Sequence, residues 1–149
     1  MEIVFTRLEV HGCLVVRVSG SIDRGGAKSL HDLLERECGL RLDQNIFFDV
    51  SQMANIDLTY ADMVDLIGPR RRFFGEGPGS RIALWAPTDM TFGMSRMYAA
   101  LLDQFDSLKV EVFRDRDRAA EFLGLSPDLV DESQMPLVDD PGTGHLPSI

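Results

Sequence analysis

The sequence predicts an α/β domain, with a mixed, mainly parallel five-stranded sheet and about four helices. Short apolar runs rich in β-branched residues alternate with amphipathic helical runs over residues 1–124. After an initial hairpin, each strand-like run is followed by a helix-like run, and such alternation requires right-handed crossovers between parallel strands. The chain length of 149 residues suits one domain with a substantial core.

Five segments have the composition of strands, and they are IVFTRLEV, CLVVRVS, NIFFDV, RIALWA and KVEVF. The first two are separated by His11 and Gly12, which is a hairpin signal. The third has too few polar residues for an exposed strand and is expected at the centre of the sheet, with Asp49 at its end.

Four segments have helical spacing. In the first, Leu30, Leu33, Leu34 and Cys38 recur on one face. The second, LTYADMVDLIGPRRRFF, should kink or end at Pro69, because the proline ring displaces a backbone hydrogen bond. The third is TDMTFGMSRMYAALLDQF, and the last is DRDRAAEFLG.

Residues 125–149 differ in composition from the predicted domain of residues 1–124. They hold four of the seven prolines, five acidic residues and no Lys or Arg. Low hydrophobicity combined with like charge resists collapse. We expect an acidic, Pro-rich tail that is extended or disordered. It could contact the domain through its apolar residues, Leu129, Val130, Leu137 and Val138.

The net charge of −9 repels phosphate backbones, so nucleic acid is not an expected partner. No apolar run approaches the ~18 residues needed to span a bilayer, and the first residues lack a signal-peptide pattern. Cys13 and Cys38 lack metal-type spacing and are predicted to be small buried hydrophobic residues, which is compatible with a reducing cytosol. We therefore expect a soluble cytoplasmic protein without a membrane span.

The sequence shows no pattern typical of an enzyme. His11, His31 and His145 are scattered over a turn, a helix and the tail, and His31 is expected to be partly exposed. No Ser, Cys or carboxylate has a recognisable partner spacing. No motif predicts a metal site or a cofactor. We therefore predict no catalytic residues.

Asp57, Thr59 and Asp62 cluster where the second helix should begin. Asp57 fits a helix N-cap, and Thr59 with Asp62 fits a capping box, so the cluster could serve helix capping alone. A helix start also attracts anions, so Thr59 is a candidate phosphoacceptor. A third interpretation is that this helix start forms part of a docking surface.

Two further clusters have alternative interpretations. Arg70–Arg72 could be a solvated helix end, or a patch for an anion, an acidic partner or the chain's own acidic tail. In the third helix, Met94 and Met97 continue a stripe that begins with Met90 and Phe92. Core packing is the default for such a stripe, but it could also line an apolar ligand pocket with Arg96 on an anionic headgroup. Alternatively, Arg96 could bridge to Asp89 or Asp103.

The segment VSGSIDRGGAKSLHDLL resembles a segment of the STAS domain family, the anti-sigma-factor antagonists of SpoIIAA-like type. Gly20, Asp23, Ala27 and Leu30 hold the spacing of that family's L-x-G-x-L-D…A-x-x-L pattern. The later segments APTDMTFGMSRMYAALL and VEVFRDRDRAAEFLG resemble the tail half of an uncharacterised SpoIIAA-like branch. The resemblance covers residues 3–124 and implies a bacterial, non-enzymatic interaction module.

DVSQMANID is similar to the family's D-L-S-x-V-x-x-I-D, with Asp49, Ser51, Met53, Ile56 and Asp57 in register. The resemblance implies a docking surface around Asp23, Asp57, Thr59 and Asp62, and a regulatory protein partner such as a kinase-type anti-sigma factor.

The chain departs from the family directly after this segment. Where phospho-regulated members have D-S-S-G, this chain has Asp57-Leu58-Thr59-Tyr60, so Leu58 occupies the phosphoacceptor position and cannot be phosphorylated. STAS-like folds also resemble SEC14-type lipid carriers, which implies the alternative of a small apolar-ligand or lipid-binding module.

Self-association is a further expectation. The edge of the first strand could pair across a two-fold axis in a homodimer, with Trp85 or the Phe73–Phe74 pair adding apolar contact.

Overall fold

The computed structural model describes residues 1–131 and 143–146. Its strands are β1 (Glu2–Leu8), β2 (Cys13–Ile22), β3 (Asn45–Ile56), β4 (Ser80–Trp85), β5 (Leu108–Phe113) and β6 (Thr143–Leu146). Its α-helices are α1 (Arg24–Cys38), α2 (Tyr60–Ile67), α3 (Arg71–Gly75), α4 (Asp89–Leu102) and α5 (Arg116–Phe122). Short 3-10 turns cover Glu9–His11, Gly68–Arg70 and Pro127–Val130.

The strands form one sheet in the order β5-β4-β3-β2-β1-β6. Neighbouring strands from β2 to β5 are parallel, and β1 is antiparallel to β2. The predicted fold class is confirmed, since all five expected strands are present and β3 lies inside the sheet. This arrangement brings the carboxyl ends of four parallel strands to one edge of the sheet.

β6 is a sixth strand that the sequence did not predict. It pairs antiparallel with the outer edge of β1, with Ile3 opposite Leu146 and Thr6 opposite Thr143. The β1 edge on which the predicted homodimer relied is therefore occupied by the chain's own tail. The predicted tail contacts at Leu137 and Val138 lie outside the described residues, and the division into a domain and a tail stays a prediction.

The two faces of the sheet are packed unequally. β1, β2 and β3 alternate their side chains between the faces, so Leu14 and Val16 point to one and Cys13 and Val15 to the other. The larger core lies between the first face and helices α1 to α4. The smaller one is covered by α5 and by the segment that ends at Val130. Cys13 and Cys38 are both buried, as predicted.

Asp49 is not at the end of a strand, because β3 continues to Ile56. Its buried carboxylate lies on the second face, where Oδ2 accepts a hydrogen bond from Arg17 Nη1 at 2.5 Å and Oδ1 accepts one from Ser51 Oγ at 2.6 Å. Arg17 also donates to the carbonyl oxygen of Val130 at 2.8 Å. Arg17, held by this ion pair, therefore attaches the first part of the predicted tail to the sheet.

Pro69 interrupts the second helical region as predicted, because α2 ends at Ile67 and α3 begins at Arg71 after a 3-10 turn. Phe73 and Phe74 follow this break and are both buried, so they are not available for the apolar contact expected in a homodimer. Among the described residues, no helix is long and apolar enough to cross a bilayer.

Four helices begin at the edge where the parallel strands end, which we call the carboxyl edge. Their N-caps are Asp23, Thr59, Thr88 and Asp115. The connections at the other end of these strands, including residues 39–44 and 103–107, form the opposite edge. The carboxyl edge therefore collects helix starts, and it holds the site residues Asp23, Asp57, Thr59 and Asp62.

Candidate functional site

A capping box fixes the start of α2, as the sequence predicted. The Thr59 hydroxyl oxygen accepts a hydrogen bond from the Asp62 amide at 3.1 Å, and the Asp62 carboxylate accepts one from the Thr59 amide at 2.9 Å. The hydrogen bonds from the Thr59 amide and hydroxyl hold the pKa of Asp62 below its usual range. Thr59 itself is exposed, so its hydroxyl lies at the surface on an ordered helix start.

Asp57 does not cap α2, contrary to the first interpretation of the sequence. The N-cap is Thr59, two residues later, because its spacing to Asp62 allows both capping hydrogen bonds. The Asp57 amide donates to the Ile22 carbonyl at 2.8 Å and fixes the end of β3 against β2. The carboxylate is exposed and makes no hydrogen bond or ion pair with residues of the described part of the chain.

Asp23 caps α1, where its Oδ1 accepts a hydrogen bond from the Gly26 amide at 2.9 Å. Strands β2 and β3 end side by side, with Ile22 opposite Ile56. Asp23 and Asp57 each follow one of these paired residues, so the structure brings the two exposed carboxylates to neighbouring positions at the carboxyl edge.

An exposed apolar pair on α2 was missed at the sequence level. Tyr60 is 58% exposed and Val64 is 42% exposed. They are four residues apart and so lie one turn apart on the same helix face. The helical spacing could have indicated this exposure. Met63, Leu66 and Ile67 form a complete buried stripe, so Tyr60 and Val64 have no place in the core.

These groups lie around the start of α2, at the carboxyl edge of the sheet. We call this region the docking surface, and it consists of Asp23, Asp57, Thr59, Tyr60, Asp62 and Val64. It combines an aromatic and an aliphatic side chain with exposed carboxylates on a backbone fixed by capping.

A cavity of about 80 Å³ lies beneath this surface, between the sheet and helices α1, α2 and α4. Sixteen residues line it, and only His31, Ser95 and Tyr98 among them carry polar side-chain groups. Half-buried Leu58 and Met94 belong to the lining. The cavity is therefore an apolar space with a small polar cluster.

The three residues of the predicted ligand pocket are not brought together. Met94 lines the cavity. Met97 instead packs half-buried against the larger core, and exposed Arg96 places its guanidinium 5.8 Å from the ring centroid of Phe92. Asp89, one expected partner of Arg96, pairs with Arg114 at 2.9 Å instead. A headgroup contact through Arg96 would therefore lie outside the cavity.

His31 is buried rather than partly exposed, since only 3% of it is accessible. Its Nδ1 lies 2.9 Å from the Ala27 carbonyl, which can only accept, so Nδ1 carries the proton. Nε2 is then the acceptor for the Tyr98 hydroxyl at 2.7 Å. Burial, above all, lowers the pKa of His31 to about 4, and the positive charge of nearby Arg70 contributes to this lowering. Burial also raises the pKa of Tyr98, so both groups are neutral at pH 7.

The arginine cluster does not form one patch. The Arg70 side chain is only 10% exposed and pairs with Asp32 and Glu35 of α1, each at 2.9 Å. Exposed Arg72 pairs with Glu76 at 3.2 Å. The predicted anion patch is therefore divided, because Arg70 serves to join α1 to the end of α2.

A groove of about 610 Å³ runs over the surface between α1 and α2. It contains charges of both signs, including Arg24 and Asp65, which pair at 3.5 Å. Leu58 and Leu66 line both this groove and the apolar cavity. The wall between the cavity and solvent is therefore one side chain thick at these positions.

The acidic side chains described above do not form a metal site. In residues 1–131, no three His, Cys, Asp or Glu side chains are grouped in a way that could hold a metal ion.

Comparisons with known proteins bear on the fold. No protein-family profile matches the chain, and no curated protein does. A solved structure of an uncharacterised DUF3478-family protein from Shewanella loihica PV-4, described as having a SpoIIAA-like fold, aligns with a TM-score of 0.53. The alignment covers 83% of this chain and 95% of that one.

The fold is SpoIIAA-like. The aligned residues are 15% identical, so the likeness concerns the fold alone. It agrees with the resemblance to STAS domains that the sequence motifs indicate.

Proposed function

We propose that this chain is a non-enzymatic, regulatory protein-interaction module that binds a protein partner through the docking surface. The observation that carries the proposal is the exposure of Tyr60 and Val64 one turn apart, next to Asp57. A large exposed apolar side chain beside charged groups is typical of the centre of a protein interface.

The chemistry of the docking surface selects the kind of partner. Tyr60 supplies apolar area and a hydroxyl group. Its side chain has few rotatable bonds, so little conformational entropy is lost on binding, and such a residue suits an interface hot spot. Asp23 and Asp57 favour basic groups around it, and the net charge of −9 attracts a basic surface at longer range. The partner is therefore a protein with an apolar pocket rimmed by Lys or Arg.

Rigidity of the helix start supports the same proposal. The capping box at Thr59 and Asp62 and the bond from Asp57 to Ile22 hold the backbone in place. A fixed surface loses little conformational entropy when it binds. Binding therefore needs no rearrangement of α2.

The test compares matched substitutions at the two edges of the sheet. Val64→Ser alters the docking surface, whereas Val10→Ser makes the same change at a residue that is 95% exposed at the opposite edge. Proteins that wild type enriches from a lysate are purified. Each one is then titrated with wild type, with Val10→Ser and with the double variant Tyr60→Ser plus Val64→Ser. We expect the double variant to weaken binding at least about tenfold, which is about 1.4 kcal/mol.

A charge pair gives an independent control. Asp57→Lys should weaken binding and lessen its salt dependence, whereas Asp106→Lys, an exposed change at the opposite edge, should affect affinity little. Equal affinity of wild type, Asp57→Lys and the Tyr60/Val64 double variant for every purified candidate would refute the docking surface.

The resemblance to anti-sigma-factor antagonists suggests a kinase-type anti-sigma factor as the partner, and we propose phosphorylation of Thr59 as its regulation. Thr59 is exposed, and a phosphate on its oxygen would face the Asp62 carboxylate. Like-charge repulsion would then open the capping box and displace the docking surface. Phosphopeptide mapping of residues 45–70 from native cells tests this, and an unmodified Thr59 under all growth conditions would contradict it.

A second candidate function is the binding of a small apolar ligand, which the cavity favours. A cavity lined by apolar side chains tends to stay dry and can accept an apolar guest. At about 80 Å³ it is smaller than the ~300–1,000 Å³ typical of ligand pockets. A lipid-sized ligand would therefore have to displace Leu58 toward the groove.

Native mass spectrometry of gently purified protein tests this second function. The expected result is an adduct whose occupancy falls in Ser95→Val, because the added methyl groups fill the cavity. An unliganded mass for wild type under the same conditions would refute ligand binding and leave the docking proposal intact.

A further inference from the structure

The outer edge of β1 is a site for strand addition, and β6 occupies it in this chain. Residues Ile3 to Thr6 have their outward-facing backbone groups paired with β6. An unpaired edge strand invites pairing with another chain. β1 itself, with the sequence EIVFTRL, is rich in strand-forming residues.

We propose that β6 acts as a removable cover of this edge, and that when it leaves, β1 pairs with β1 of a second copy of this chain. The described contacts show that the cover is incomplete. β6 pairs with four residues of the seven in β1. Its sequence, TGHL, includes a glycine opposite Phe5, and glycine weakens strands.

A second copy fits the edge more completely than β6 does. Antiparallel pairing of β1 with its two-fold mate, centred on Phe5, places all seven residues opposite a partner. In that register Ile3 lies opposite Arg7 and Val4 opposite Thr6, so each face of one sheet continues into the same face of the other. The result is a continuous sheet across the dimer axis.

The covalent connection of β6 to the rest of the chain explains why β6, and not a second copy, occupies the edge of β1 in the intact chain. Residues 132–142 separate Asp131 from Thr143, and a short tether gives an effective concentration on the order of 1 mM. At about 50 µM protein, the difference in concentration alone therefore favours β6 roughly twentyfold over a second copy. Weakening the pairing of β6 should remove that advantage without touching β1.

The test uses the full chain with Gly144→Pro and His145→Pro combined. Successive backbone amides of a strand point to opposite sides, so either residue 144 or residue 145 donates its amide to β1. Replacing both residues by proline removes that donor in either case. Gly144→Ala with His145→Ala keeps both amides and is the matched control. Light scattering coupled to size exclusion gives the mass, and hydrogen exchange reports on the amides of β1.

We expect wild type and the alanine control at 16.6 kDa, and the proline variant at twice that mass with the amides of β1 still protected. A peptide of residues 140–149 in excess should return the proline variant to the monomer mass. A proline variant that stays monomeric overturns the proposal, as does a wild-type dimer. A dimer with rapidly exchanging β1 amides also overturns it. If the double variant does not fold, Gly144→Pro and His145→Pro are tested separately, and the proposal is overturned if both stay monomeric.

Discussion

Lowering the pH from about 7.5 to about 5 should destabilise the folded chain through one buried side chain, His31. Burial lowers its pKa from 6.5 to about 4. Between these values the unfolded chain binds a proton at His31 and the folded chain does not, so stability falls as the pH falls. The effect is complete only below about pH 4.

The magnitude follows from the size of the pKa difference. About 2.5 pKa units correspond to about 3 kcal/mol in the limit of full protonation. At about pH 5 the unfolded state is largely protonated and the folded state is not, so roughly 2 kcal/mol is lost. Asp32 and Asp62 have lowered pKa values, so their losses begin near and below pH 4 and do not overlap this window.

Urea unfolding at the two pH values measures this loss, with the fluorescence of Trp85, the single tryptophan, as the signal. His31→Gln should be less stable at pH 7.5, because Ala27 and Tyr98 lose their partner, but its stability should change little down to pH 5. His11→Gln removes an exposed histidine and should keep the wild-type dependence. The same slope in wild type and His31→Gln would refute the assignment to His31.

Two stability predictions follow from backbone geometry. Thr59→Ala removes the capping hydrogen bond and should cost about 1 kcal/mol, whereas Thr59→Ser should cost little; equal urea midpoints would contradict the capping role. Gly93→Ala should stabilise by about 0.5–1 kcal/mol, because the glycine lies inside α4 with open space around it. Gly77→Ala should strongly destabilise, because its Cβ would overlap the Leu42 carbonyl oxygen; a thermal melt showing the same sign for both glycines would contradict this contrast.

The order of elements was predictable because each strand and helix has its own apolar period. β3 could be placed inside the sheet from its lack of polar residues, and the break at Pro69 followed from proline chemistry. β6 was not predictable, because TGHL is a weak strand sequence that gains its pairing from the β1 edge. Tertiary contacts outweigh local propensity there.

The candidate site was predictable in part. The capping box at Thr59 follows from spacing alone. The burial of His31 was missed because its partner, Tyr98, is 67 residues away and no local pattern links them. The ion pairs of Arg70 were not predictable, because Arg70 lies in a run of three arginines. Only the packing of α1 against α2 distinguishes it from its neighbours.

Hydrogen exchange on a complex with a purified partner is the sharpest test of the docking surface. Binding through this surface should add protection in residues 57–67 and leave residues 9–12 and 39–44 of the opposite edge unchanged. Protection confined to the opposite edge, or to α5 on the other face of the sheet, would contradict it.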